Sequence, residues 1–255
     1  MRGILTLAGK DLRNLVKSPM LYVIAGLCSM LWSYSYMRML FAFAERSRLY
    51  AQPGMEAGMN LQRDVFLPHI SQINLLFVFV VPALTMRLLA EEKRLRTYDL
   101  LLTSPISASQ VAIGKFLAGL GTVSVLTAIS FLYPLLTRLV AEYPMGPLLA
   151  AYFGVVMVSG AYVAVGLFAS SLTESVVLSV VMGLIFNILL WFISQGSGDV
   201  GNPIVAGVLD YLSLGQHFLN FIMGAVKLSS VVYLASLIGL FVFLTQRVVE
   251  SSRWR

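Results

Sequence analysis

The chain has 255 residues, of which 58% are hydrophobic and only 12% charged. A soluble domain carries about 25% charge, so a water-soluble globule, which must cover its surface with polar groups, is excluded. The net charge of +6 comes from Lys and Arg gathered at the ends of long apolar runs, which points to orientation in a bilayer and not to nucleic acid. Unbroken runs also exclude a β-barrel, whose strands alternate, and leave an all-α integral membrane protein.

Taken in chain order, residues 3–17 read as an amphipathic helix. Ile4, Leu5, Ala8, Leu12, Leu15 and Val16 share one face, and Thr6, Lys10, Arg13 and Lys17 another. Such a helix lies in the headgroup plane. Ser18-Pro19 then turns the chain into the membrane. The opening MRGILTLAGKDLRNLVKSPM is broken by charge and does not read as a cleavable signal. Six spans follow, each close to the roughly 20 residues that the hydrocarbon thickness needs: 20–43, 70–90, 112–137, 147–170, 176–195 and 228–246.

Twelve of the 18 Lys and Arg fall on one side: Arg2, Lys10, Arg13, Lys17, Arg87, Lys93, Arg94, Arg96, Lys115, Arg247, Arg253 and Arg255. The positive-inside rule therefore predicts cytoplasmic termini and a cytoplasmic 91–107 loop. On the other side, 44–69 reads as a polar loop and 138–146 as a tight turn. The 203–226 segment there is semi-apolar and is expected to form short re-entrant helices.

Motifs for catalysis are missing. There is no phosphate-binding G-x-x-x-x-G-K-[ST], no G-x-S-x-G and no H-E-x-x-H. Cys28, His69 and His217 are too few and too scattered for a metal centre, and His217 reads as a packing imidazole at headgroup level. Arg38 and Arg87 lie close enough to span ends to snorkel. Asn187, in the middle of the fifth span, can hydrogen-bond across helices, at a subunit interface or within the bundle. Gly160, among the small residues of the fourth span, allows close helix approach at an interface or along a path. Pro82 and Pro134 are expected to kink their spans.

The most charged stretch, EEKRLRTYDLLLTSPIS (91–107), is more than a linker. Thr97 can cap a short helix over about 97–104, with Asp99 in its first turn. Leu100, Leu101 and Leu102 form an apolar ridge, and Ser104-Pro105 stops it. Ser107-Ala108-Ser109-Gln110 is a capping box that starts the third span. The pattern supports two readings equally: a helix that docks a soluble protein, or an interfacial helix with its leucines in lipid.

PALTMRLLAEEKRLRTYDLLLTSPISASQVAIGKF (82–116) resembles the corresponding stretch of ABC-2 type permeases, the membrane subunits of one class of ATP-binding-cassette transporter. GLFASSLTES (166–175) and the last 45 residues, ending in Arg253-Trp254-Arg255, resemble the same family and are most similar to its gliding-motility-associated subgroup. Permeases for nitrous-oxide-reductase maturation are close relatives of that subgroup. Where the family often has Gly-Thr followed by Glu, this chain has Arg96-Thr97 and then Asp99.

The resemblance implies a single permease domain of type V-like, six-span architecture, paired with a second permease copy or permease-like subunit. It implies two copies of a separate ABC ATPase subunit, which carries ATP and Mg, while this chain binds no cofactor and is not itself an enzyme. The 97–104 segment would be the coupling helix: Leu100 and Leu101 anchor it, while Glu91, Glu92, Arg96, Thr97, Asp99, Ser104 and Pro105 form its rim and ends. Thr173 and Glu174 would make a second contact, and 3–17 would be a connecting helix. The implied setting is a bacterial inner membrane. The implied activity is ATP-driven export of a lipid-like or amphipathic substrate, or force transmission to an outer-side accessory protein. Replacing Leu101 by Asp is then expected to leave the fold intact and abolish ATPase-coupled activity of the assembled complex; an unchanged coupled rate would remove the docking role.

Overall fold

The first corner is cut at Ser18-Pro19, where proline opens a helix at a position that needs no backbone N–H. In the computed structural model, which describes residues 2–50, 60–98, 106–199 and 201–252, helix α1 (Arg2–Val16) precedes this corner and α2 (Pro19–Tyr50) follows it. A π-helical turn (Gln62–Phe66) leads into α3 (Leu67–Thr85), and the short α4 (Ala90–Arg94) comes next. Then follow α5 (Ala108–Thr137), α6 (Met145–Leu172), α7 (Val176–Phe192), a 3₁₀ stretch (Ile193–Asp199), α8 (Pro203–Leu212), α9 (Leu214–Ile222) and α10 (Leu228–Ser251). No strand occurs among the described residues, and six helical runs are long and apolar enough to cross a membrane. The chain is an all-α, multi-pass membrane protein.

Two boundaries differ from the hydropathy reading, both around the expected 44–69 loop. Helix α2 continues to Tyr50, because Ala-Glu-Arg-Ser-Arg-Leu contains no breaker. Loss of apolar character ends a membrane span but does not end a helix. On the return, helical structure resumes at Leu61. It is nucleated by Asn60, whose Oδ1 accepts from Gln62 N (2.9 Å) while Asp64 Oδ2 accepts from Asn60 N (3.1 Å). The start of α5 follows the sequence signal. Ser107 Oγ accepts from Gln110 N at 3.2 Å, and Gln110 Oε1 accepts from Ser107 N at 3.0 Å.

Helix α1 departs from the amphipathic reading in what it buries. Leu7, Asp11, Leu15 and the following Ser18 face inward, while Leu5 is 68% exposed. The inward face packs on α5, where Gly114 leaves room for Leu7 and Gly121 for Leu12. The amphipathic pattern put Lys10, Arg13 and Lys17 on the polar face and gave Asp11 no place. It had no means of knowing that the neighbouring helix presents a charge of its own.

Helix α6 is the hub, with 72% of its apolar window buried, against 17% for α7. Small residues explain this position, since they let neighbouring backbones come close. Gly154 admits Phe221 of α9, Gly160 admits Ile238 of α10, and Gly166 admits Thr85 of α3. At one end of the bundle, Tyr36 of α2 pairs with Thr137 of α5 at 2.6 Å, and Tyr152 of α6 donates to Ser130 O at 3.0 Å.

The semi-apolar 203–226 segment forms two short helices broken at Ser213. Helix α8 buries none of its residues, whereas α9 buries Leu214, His217, Phe218, Phe221 and Ile222. His217 is a packing residue, as the sequence suggests. Its Nε2 donates to Tyr211 O (2.9 Å), its Nδ1 accepts from Ser230 Oγ (3.0 Å), and its ring stacks on Tyr233 with centroids 4.3 Å apart. Helix α9 is therefore seated at Gly154, where an added Cβ would lie 2.3 Å from Phe221 Cβ. Gly154→Val is expected to unseat α9 and destabilise the fold by at least about 1–3 kcal/mol, read as a lower melting midpoint in detergent. An unchanged midpoint would mean that α9 is not held there.

Candidate functional site

The charged elbow between α3 and α5 is fastened to three other parts of the chain. After Thr85 the chain turns through 86–89 into α4, whose first turn carries Glu91 and Glu92. The first fastening is a buried ion triad. Lys115, in the second turn of α5, has no solvent exposure. Its Nζ donates to Asp11 Oδ2 of α1 at 3.2 Å and forms an ion pair with Glu92 Oε2 at 2.8 Å. Asp11 is 7% and Glu92 21% exposed, so the triad is closed on the α1 side and open at Glu92. An unpaired ammonium would be very costly in this position; two carboxylates from two other elements answer it.

The second fastening joins the elbow to the α1–α2 corner. Arg87 Nε donates to Glu91 Oε2 at 2.7 Å, and its Nη1 donates to Ser18 Oγ. The third joins it to the end of α6. Ser170 Oγ accepts from Ala90 N (2.8 Å) and donates to Met86 O (3.2 Å). Lys93 Nζ donates to Ser171 O at 2.6 Å, one of the carbonyls left open where α6 stops, and sits 5.2 Å from the centroid of the Tyr98 ring. Between α1 and the elbow lies a cleft of about 870 Å³, with Lys10, Asp11, Arg87, Glu91, Glu92 and Lys115 among its lining residues.

Arg96 adopts φ +60° and is the non-glycine residue with positive φ among those described. This conformation disfavours a side chain, and it gives a physical reason for glycine at the matching position of the resembling family. Thr97 N and Oγ1 both donate to Glu92 O, at 3.0 and 3.3 Å. Thr97 stands just before the helical Tyr98. Asp99, Leu100, Leu101, Ser104 and Pro105 lie outside the described residues, and with them nearly all of the expected coupling helix.

The structure brings α4, which carries Glu91 and Glu92, to the end of α6 just before the 173–175 turn, through the bonds of Ala90 and Lys93 to Ser170 and Ser171; no bond joins Arg96 or Thr97 to that turn among the described residues. In that turn Thr173 Oγ1 accepts from Ser175 N at 3.0 Å, and Glu174 is exposed. Gly160 and Asn187 lie elsewhere, inside the single-chain bundle: Gly160 against Ile238, and Asn187 with no exposed surface. Within this chain neither presents itself at an outer surface. Sequence reasoning missed Asp11 and Lys115. It placed Asp11 on neither face of the first helix and counted Lys115 as one of the positive charges on the cytoplasmic side. The available signal was a lysine standing seven residues inside an otherwise apolar helix.

Removing one member of a buried ion cluster costs about 3–5 kcal/mol when an uncompensated charge remains. Lys115→Met, which strands Asp11, is expected to destabilise the chain by that amount. Asp11→Asn, which leaves Glu92 to answer Lys115, should cost less, and the Asp11→Leu/Lys115→Met pair should recover much of the loss. Detergent melting curves of the three variants check this order; equal, additive effects would contradict a coupled triad.

With this geometry established, comparison with known proteins gives one finding. A family profile described as "ABC-2 family transporter protein" matches residues 5–245. A search of curated proteins returned no match.

Proposed function

We propose that this chain, which belongs to the ABC-2 family of transporter proteins, converts movement of a partner ATPase into movement of its own helix bundle. Membership makes it a permease component of an ABC transporter and implies partnership with an ABC ATPase subunit. The observation that carries the mechanical reading is the triple fastening of the elbow. A loop that only connected two spans would not need an ion triad to α1 and α5, an arginine bridge to Ser18 and three hydrogen bonds to the end of α6. A force applied to the 97–105 segment would be delivered to all of them at once.

In this proposal the elbow faces the cytoplasm of a bacterial inner membrane, as the distribution of Lys and Arg supports. Two copies of the chain, or one with a permease-like subunit, bind two ATPases through the coupling segment and the Thr173-Glu174 turn. ATP and Mg stay on the ATPase, and this chain does no chemistry. The substrate class is amphipathic or lipid-like. Its support is the bundle interior: Asp11 and Lys115 are the Asp, Glu, Lys and Arg residues buried among those described, both at the elbow end, so the interior offers little charge to line a hydrophilic path. A gliding-type complex that moves an outer-side partner instead of a solute is the alternative, and solute flux into vesicles separates the two.

The test is the Lys93→Met/Ser170→Val double variant, which removes the α6 fastening and leaves the ridge untouched. Allosteric couplings span about 5–150-fold. The variant complex is therefore expected to retain its ATPase subunits while its coupled turnover falls by about tenfold. Full coupled turnover with all three bonds removed would sink the proposal.

A further inference from the structure

Helix α7 is fastened differently from the elbow. Its buried positions are Ser179, Gly183 and Asn187, one stripe at four-residue spacing. Among the described residues, no hydrogen bond joins α7 to α3 or α6. Ser179 Oγ and both side-chain polar atoms of Asn187 are buried without any partner. An amide in hydrocarbon has no water to turn to, so an unpaired one is a standing cost that calls for an explanation.

The neighbouring contacts set the register of this seam. A Cβ on Gly183 would lie 3.3 Å from Pro82 Cβ of α3 and 3.6 Å from Gly166 Cα of α6. Helices α3 and α6 run in the same direction, because Tyr162 bonds Asn74 and, further along both, Gly166 meets Thr85. Helix α7 follows α6 after a three-residue turn and runs back, antiparallel to α3. One turn on from Gly183 is Asn187; one turn back from Pro82 is Val78. These two therefore stand at the same level. Pro82 has no N–H, so the Val78 carbonyl lacks the donor that an α-helix would supply. The seam thus holds an unpaired amide at the level of a carbonyl whose regular helical donor Pro82 removes, and the amide bonds to nothing.

We infer that Asn187 is a positioning residue with a second state: α7 shifts against α3 so that Asn187 Nδ2–H donates to the Val78 carbonyl, and this bond holds the alternative arrangement of the bundle. Sequence reading treated Asn187 as a site for bonding between helices and Pro82 as a kink. The structure puts both in one seam, with Gly183 against Pro82 and Asn187 one turn further on. The inference rests on the permease reading for the cycle in which the shift occurs, but not for the unpaired amide itself.

The experiment uses the full chain, alone in detergent and assembled with its ATPase, as Asn187→Leu, Pro82→Ala and the double variant. Pro82→Ala gives Val78 its helical donor and so withdraws the acceptor. Alone, Asn187→Leu is expected to raise the melting midpoint by a few degrees, because it removes an unpaired amide. In the complex, each single variant is expected to slow ATP-driven turnover by about tenfold, and the double variant to be no slower than the slower single. The inference is overturned if Asn187→Leu lowers the midpoint, if it leaves turnover within about twofold of the parent, or if the two substitutions multiply. A parent complex with no ATP-driven turnover would instead refute the permease reading, and the midpoint of Asn187→Leu would then decide the inference alone.

Discussion

One buried ammonium organises the charged end of this molecule. Lys115 projects from α5 into a space with no solvent, and α5 itself supplies no counter-charge. The carboxylates come from α1 and α4, at 3.2 and 2.8 Å. Each has little freedom to leave, because an uncompensated charge in that space costs several kcal/mol. Helix α1 and the elbow are consequently held in register with the bundle by electrostatics, and the apolar contacts of Leu7 with Gly114 and Leu12 with Gly121 fill in around that constraint. Such a cluster adds little net stability compared with an apolar replacement. Its contribution is geometric: it ties three elements from distant parts of the chain to a single point.

The rest of the bundle is governed by size instead of charge. Helix α6 is central because three glycines on it admit α3, α9 and α10. The result is a molecule with two kinds of joint. At the elbow, directional polar bonds fasten elements together. Along α7, a stripe of small and unpaired groups leaves the helix held against α3 and α6 without a hydrogen bond among the described residues. Force entering a permease needs both, a rigid handle and a seam that gives.

Much of this was legible in the sequence, for identifiable reasons. The six spans and the Ser107 capping box are local properties, written in runs of apolar residues and in an S-x-x-Q spacing. The small residues of 154–166 announced close packing, although not which neighbour each glycine admits. The end of α2 was misplaced because hydropathy reports the membrane and not the helix. The ion triad was missed because Asp11, Glu92 and Lys115 are far apart in the chain, and the lysine inside an apolar helix, the one signal it left, does not name its partners. Arg96 was noted as a departure from a resembling family, but only its φ of +60° explains why glycine suits that position. Asn187 and Pro82 were each noticed singly; that Asn187 stands level with Val78, whose helical donor Pro82 removes, depends on a register that only the fold provides.

The central claim is that the elbow, α1 and the end of α6 move as one body. The most direct measurement places spin labels at Arg94 on the elbow, at Arg13 on α1 and at Glu174 in the α6–α7 turn, all exposed positions, in the complex with its ATPase. Distances among these three labels are then compared with and without ATP, and against a fourth label on α8. The account predicts that the three mutual distances stay fixed while their distances to α8 change. An elbow that moves relative to α1 and Glu174 when ATP binds would contradict it.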